Sequence, residues 1–285
     1  MVKPKDQTSR IKKKVMINMS RESIETVRAY YNEGCEGEWR RINGRPEFLL
    51  TCRFLDRYIK PGDKVLDIGG GPGRYSLYLA EKSCKVTLVD LSEENVKFAL
   101  QKAKEADLKL NGFACNALEL DKLISEQYDH VLLMGPLYHL LEEEERITAV
   151  NQALNALKPG GKLFVSFISM NAGMVYAMKC APDVIADPNE KGFYNAFLDG
   201  NSFSGEAFTQ AYFIAQKEVL PFMAQFPLQK LHFFGQEGMT SPCESNIMSQ
   251  PKEIIDQWMD FTELTCEREE LLSWSEHLMY VGEKL

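Results

Sequence analysis

Residues 64–74 read KVLDIGGGPGR. A short apolar run gives way to four glycines in five positions, and a helical stretch, RYSLYLAEK, follows at 74–82. A strand, a glycine turn and a helix in that order form the opening unit of a ligand-binding α/β sheet. The chain downstream keeps the same alternation. KVTLVD (85–90) reads as a second strand, and Ser92 can cap the helix through VKFALQKAKEA, with Glu93 and Glu94 at its positive end. KLNGFAC (109–115), YDHVLLMG (128–135) and GKLFVSFI (161–168) supply a third, fourth and fifth strand. A helix around 143–157 lies between the last two and is expected to stop at the turn KPGG. Such βαβ alternation predicts a parallel sheet with right-handed crossovers and a ligand beyond the carboxyl ends of its strands.

The flanks read differently. Residues 169–212 break the alternation and concentrate Tyr176, Phe193, Tyr194, Phe197, Phe203, Phe208 and Tyr212. They are expected to form a cap over the open edge of the sheet. A helix near 216–225 and strands at 229–235 and 276–284 come next. The division expected is a tail and helical cover at 1–58, a ligand-binding core at 59–168, a cap and helix at 169–228, and terminal strands at 229–285. The start, MVKPKDQTSRIKKK, is basic without the apolar stretch of a secretory signal and reads as a disordered tail.

The glycine turn itself discriminates between ligands. Dinucleotide sites use G-x-G-x-x-G, whose third glycine permits close helix packing under a pyrophosphate. Gly69 and Gly71 fit, but the third position is Arg74 and the additional glycine is Gly73. Asp67 sits two residues before the first glycine, where a pyrophosphate would meet a like charge. Reversing the ligand's charge removes the conflict: an acid there attracts a sulfonium and an ammonium, as S-adenosylmethionine carries. Asp90 ends the second strand, where a carboxylate accepts ribose hydroxyls. Asn116 and Ala117 follow the third strand, where an amide can meet an adenine edge.

With VLDIGGGPGRYSLYLA, VTLVDLS, ACNALEL, YDHVLLMGPLYHL and LKPGGKLFVS in this order, residues 60–168 resemble the class I S-adenosylmethionine-dependent methyltransferases. The tail SEHLMYVGEK is similar to that family's last, antiparallel strand. The resemblance implies a doubly wound, mostly parallel seven-stranded Rossmann-like sheet with helices on both faces. It also implies cofactor contacts at Asp67, Gly69, Gly71, Gly73, Asp90, Leu91, Asn116, Ala117 and Met134. Related enzymes close the methionine end with an N-terminal Tyr or Arg, which falls on Tyr31 and Arg41 here.

The acceptor is read from the segment after the fourth strand, MGPLYHL. The Asp/Asn/Ser-Pro-Pro-aromatic grip of base amino-methyltransferases is missing, as is the Pro-Cys nucleophile of pyrimidine C5 enzymes. A net charge of −8 agrees with a partner other than nucleic acid. His139 is the candidate general base, and Tyr138 a candidate to hold the acceptor or flank the methyl donor. The cap, with two basic residues against five acids, suits an amine, thiol or phenol with an apolar body, held by Tyr176, Tyr194 and Tyr212. Seven cysteines without C-x-x-C spacing read as free thiols in the cytoplasm, with no metal site. The competing readings are a non-catalytic S-adenosylmethionine-binding protein, an NAD oxidoreductase, and a nucleic-acid or protein methyltransferase.

Overall fold

The computed structural model describes residues 5–42 and 44–285, with side chains from Glu22 onward. Residues 1–4 of the expected tail lie outside the described residues, and the remainder of that stretch is the start of a long helix, α1 (Lys5–Ile42). Helix α2 (Pro46–Tyr58) starts at a proline whose fixed φ suits a first helical turn. Then come β1 (Lys64–Ile68), α3 (Arg74–Glu81), β2 (Lys85–Asp90), α4 (Glu93–Glu105) and β3 (Leu110–Ala114). Strand β4 (Tyr128–Leu133), α5 (Glu143–Ala156) and β5 (Leu157–Ile168) complete the parallel part. The cap contributes α6 (Met170–Cys180), α7 (Lys191–Leu198), β6 (Phe203–Glu206) and β7 (Gln210–Phe213). The chain ends with α8 (Gln216–Met223), β8 (Leu228–Gly235), α9 (Glu244–Met248), α10 (Lys252–Thr265) and β9 (His277–Lys284).

Seven strands form one sheet in the order β3-β2-β1-β4-β5-β9-β8, and β9 runs antiparallel to both of its neighbours. The order reverses between β1 and β4, which opens a crevice at their carboxyl ends. Alternation along the strands divides the core into two layers. Leu66, Ile68, Val131 and Leu133 pack on the side of Ala149, Val150 and Ala153 from α5. Val65, Val86, Leu132 and Phe164 pack on the other side, with Leu50, Phe54 and Leu55 from α2. Phe54 stacks on Phe234 at 3.8 Å between ring centres, joining α2 to β8. Asp67 shares the face of Val65, so its carboxylate turns inward, towards α3, rather than into solvent.

One further detail differs from the sequence-based expectation. KPGG does not lie between helix and strand but belongs to β5, whose register against β4 shifts between Tyr128 and His130. Gly160 there has φ +74°, and a Cβ on Gly161 would stand 2.6 Å from the Asp129 carbonyl oxygen, so the glycines build an irregular strand. The cap is a small unit with its own core of Met170, Ala172, Phe193, Ala211 and Phe213. Among the described residues, no helix is long and apolar enough to cross a membrane.

Candidate active site

The crevice at the switch point is a cavity of about 120 Å³. Its floor is the glycine turn. Gly69 has φ +71°, and a Cβ on it would stand 2.5 Å from Cδ of Pro136, so only glycine lets β1 pass under the segment after β4. The N–H groups of Gly69 and Gly70 donate to the Val89 carbonyl at 2.7 and 3.3 Å, tying the turn to β2. Asp90 holds the turn from the other side. Its Oδ2 accepts the Gly71 N–H at 2.8 Å, and its Oδ1 accepts from Ser92 N at 2.8 Å and Asn95 Nδ2 at 3.2 Å. Gly73, with φ +86°, immediately precedes α3 but does not line the cavity, and a Cβ there would stand 2.8 Å from the Ala99 side chain. It serves the close approach of α3 to α4.

The electrostatics are one-sided. Asp67 is 1% exposed, and its Oδ2 accepts the Ser76 hydroxyl at 2.7 Å. Burial, with a smaller push from the Asp90 charge, raises its pKa to about 7. Asp90 is also raised by burial, against the lowering pull of its N–H donors. Among the described residues, no basic side chain pairs with either acid. The floor of the cavity therefore holds two buried carboxylates in want of a cation.

Helix α1 forms the roof and brings Ile24, Val27, Tyr31, Glu38 and Arg41 to the cavity. Arg41 Nε donates to Glu38 at 2.9 Å, and its Nη1 to Glu47 at 3.4 Å. Burial opposes the guanidinium charge, but Glu47 and Glu38 hold its pKa well above the ordinary value. Behind Glu47, His277 Nδ1 lies 2.6 Å from Glu237. Burial disfavours the imidazolium, yet Glu47 and Glu237 raise its pKa to about 9. Arg41 and Glu47 thus present a cation and an anion side by side, a match for the two charges of an amino-acid group.

His139 sits at the other end, after β4. Its Nδ1 is 3.1 Å from the Gln210 carbonyl, which can only accept, so Nδ1 carries the proton. Nε2 is then a lone pair, and it accepts the Tyr31 hydroxyl at 2.8 Å. Burial lowers the pKa of His139 to about 4, so the ring is neutral. Tyr138 lines the cavity as well, with its hydroxyl donating to the Met134 carbonyl at 3.1 Å. Four rings close a cycle here: Tyr30–Tyr31 at 5.1 Å, Tyr31–His139 at 5.3 Å, His139–Phe208 at 5.8 Å and Phe208–Tyr30 at 6.0 Å.

Residues 65–161 match the family described as Methyltransferase domain. They form a methyltransferase domain. The chain is similar to a ubiquinone biosynthesis O-methyltransferase of Idiomarina loihiensis, 36% identical over 113 residues that cover 39% of this chain and 44% of that protein. The chain spans about half the length of the curated relatives it matches. Among solved structures, the 1,6-didemethyltoxoflavin-N1-methyltransferase of Burkholderia thailandensis superimposes with a TM-score of 0.60, at 15% identity, over 93% of this chain and 90% of that one. The magnesium protoporphyrin IX methyltransferase of Synechocystis gives 0.57, at 16% identity, over 92% and 100%. At such identities these two show a shared fold.

The methyltransferase domain brings Asp67, Gly69, Gly71, Asp90, Leu91, Asn116, Ala117 and Met134 to one cavity, together with Tyr31, Arg41, Tyr138 and His139. Asn116 lines it while its Oδ1 accepts the Leu118 N–H at 3.0 Å, which leaves its NH₂ for a ligand. The cap tyrosines lie outside. Tyr194 donates to the Val184 carbonyl at 2.8 Å, the Arg146 guanidinium lies 3.6 Å from the centre of the Tyr212 ring, and Tyr176 is exposed near Tyr30. The cap's rings mainly make the cap's own core, and α1 stands where cap residues were expected to face the ligand. Sequence reasoning missed Glu38 and Glu47. Glu47 follows Pro46 in the first turn of α2, where an acid is ordinary; its burial beside Arg41 sets it apart and leaves no trace in the sequence.

Proposed function

We propose that this chain transfers a methyl group from S-adenosylmethionine to a small molecule, an amine, thiol or phenol with an apolar body. The observation that carries the reading is the pair of buried, cation-less carboxylates, Asp67 and Asp90, around the glycine turn. A pyrophosphate would add negative charge to that floor, whereas a sulfonium and an ammonium offset it. The donor supplies a methyl already activated on sulfur. The chain's own residues have to bind, orient and exclude water. Asp90 would accept the ribose hydroxyls, Asn116 and Ala117 would meet the adenine, and Arg41 with Glu47 would hold the carboxylate and ammonium of the amino-acid end.

His139 and Tyr31 would act as a pair. The histidine lone pair already takes the tyrosine proton in a hydrogen bond. An acceptor that loses its proton to the Tyr31 oxygen, as the Tyr31 proton passes to Nε2, leaves both residues in the same charge states as a direct transfer to histidine. This suits an acceptor that arrives protonated, a phenol before a thiolate, and it accords with the O-methyltransferase names of the curated relatives. Tyr176 and Phe208 would border the acceptor's path from outside. A net charge of −8 and seven free cysteines support a partner other than nucleic acid and a reducing, cytoplasmic setting.

The test is turnover: purified protein, S-adenosylmethionine and a panel of phenols, amines and thiols, read as S-adenosylhomocysteine. Formation with any class supports the reading and names the acceptor atom. Cofactor binding without turnover on a broad panel supports the non-catalytic alternative.

A further inference from the structure

We propose that Arg74 is a positioning residue that fastens helix α1 to the glycine turn, so that covering the cofactor and shaping its loop become one event. The inference rests on the S-adenosylmethionine reading above for what is covered, and on contacts of this chain for how.

Arg74 occupies the place where a dinucleotide turn has its third glycine, and it is the first residue of α3. Its Nε and Nη2 both donate to the Trp39 carbonyl, at 2.9 and 2.7 Å. The face of the same guanidinium lies 3.2 Å from the centre of the Trp39 ring. Trp39 stands in the last turn of α1, where carbonyls have no N–H partner within the helix and the dipole is negative. A guanidinium satisfies that carbonyl with its edge and the indole with its face, a geometry that lysine does not offer. Among the described residues, no carboxylate pairs with Arg74, so its charge serves the helix end and the ring alone. Burial lowers its pKa, in keeping with that enclosure.

What this joint connects gives it a function. Trp39 is next to Glu38 and two residues from Arg41, both on the cavity wall. Arg74 follows the turn whose Gly69 and Gly71 form the cavity floor. Roof and floor are thus tied at their common edge. A second tie, Ser92 Oγ donating to Asn32 Oδ1 at 2.7 Å, holds the middle of α1 to the start of α4, but with neutral partners. The cavity lies directly beneath this joint, so Arg74 sets how firmly α1 holds over whatever the cavity takes.

The experiment compares wild type, Arg74→Ala and Arg74→Lys by two readouts. Amide hydrogen exchange of residues 24–42 in the free protein reports α1 directly. Stopped-flow dissociation of S-adenosylhomocysteine reports the covered ligand. Arg74→Ala is expected to speed α1 exchange while the strands keep their protection, and to speed dissociation about 10-fold, the scale of a lost charge-assisted bond. Arg74→Lys is expected to fall between the two, and it carries the test if the alanine variant fails to fold. Exchange unchanged and dissociation within about twofold of wild type would overturn the proposal. If wild type binds no S-adenosylhomocysteine, the cofactor reading falls, and the exchange measurement alone decides the role of Arg74.

Discussion

At the scale of single residues, the site depends on groups held away from their ordinary protonation. His139 is neutral with a pKa near 4, so acid loss of activity belongs below about pH 5 rather than near the 6.5 of free histidine. Its lowered pKa also means that its contribution to stability is present above 6.5 and is lost as pH falls through 4. A kcat–pH profile with a protonated acceptor checks this; a break near 6.5 would show a solvated histidine. Replacement of His139 by alanine should lower kcat by roughly 10²–10⁴-fold with nearly unchanged cofactor affinity. Asp67 runs the other way. Its pKa is raised to about 7, so its contribution to the stability of the free protein is complete below about pH 4 and is lost as pH rises through 7. Asp67→Asn, which cannot ionise, should therefore melt higher than wild type at about pH 8 without cofactor, by on the order of 2–4 °C per kcal/mol regained. The same variant should bind S-adenosylmethionine more weakly. Calorimetric melting and titration on either side of neutrality test both halves, and a lower Tm on the alkaline side would contradict the assignment of buried charge.

At the scale of elements, the strands and helices of the core were readable because each signal is local. Alternating apolar runs, Ser92 as a cap and glycines at positive φ act within a few residues of themselves. What could not be read depends on contacts distant in sequence. The placement of α1 rests on Arg74 reaching Trp39, Ser92 reaching Asn32 and Tyr31 reaching His139, and no periodicity encodes such pairs. The cap's aromatic residues were conspicuous, but composition does not say whether a ring faces a ligand or a neighbouring ring; Phe193 packs on Phe203 and Phe213 inside the cap. The hairpin β6–β7 nevertheless reaches the site through Phe208, in the turn between its strands, whose ring is 5.8 Å from His139 and 6.0 Å from Tyr30. Phe208→Ala removes two ring contacts of about 0.5–1.5 kcal/mol each. It should raise the acceptor KM several-fold and leave the cofactor Kd within about twofold. An equal rise in both would mean that the hairpin only supports the fold.

At the scale of the whole molecule, one sheet order sets the chemistry that can occur. The reversal between β1 and β4 opens the crevice, the acids at the ends of β1 and β2 give it a negative floor, and α1 closes it from above. A nicotinamide dinucleotide and S-adenosylmethionine share adenosine, so under the proposed reading Asp90 and Asn116 would serve either. The discrimination lies at the glycine turn, where one ligand brings phosphates and the other a sulfonium and an ammonium. Asp90→Ala should weaken the preferred ligand by roughly 1.5–3 kcal/mol, since it removes a charge-assisted contact and frees the Gly71 N–H. Titration calorimetry of the full chain with S-adenosylmethionine and with NAD under the same conditions tests the central claim most directly. The account predicts saturable binding of S-adenosylmethionine and none of NAD at matching concentrations; NAD binding the tighter of the two would contradict it.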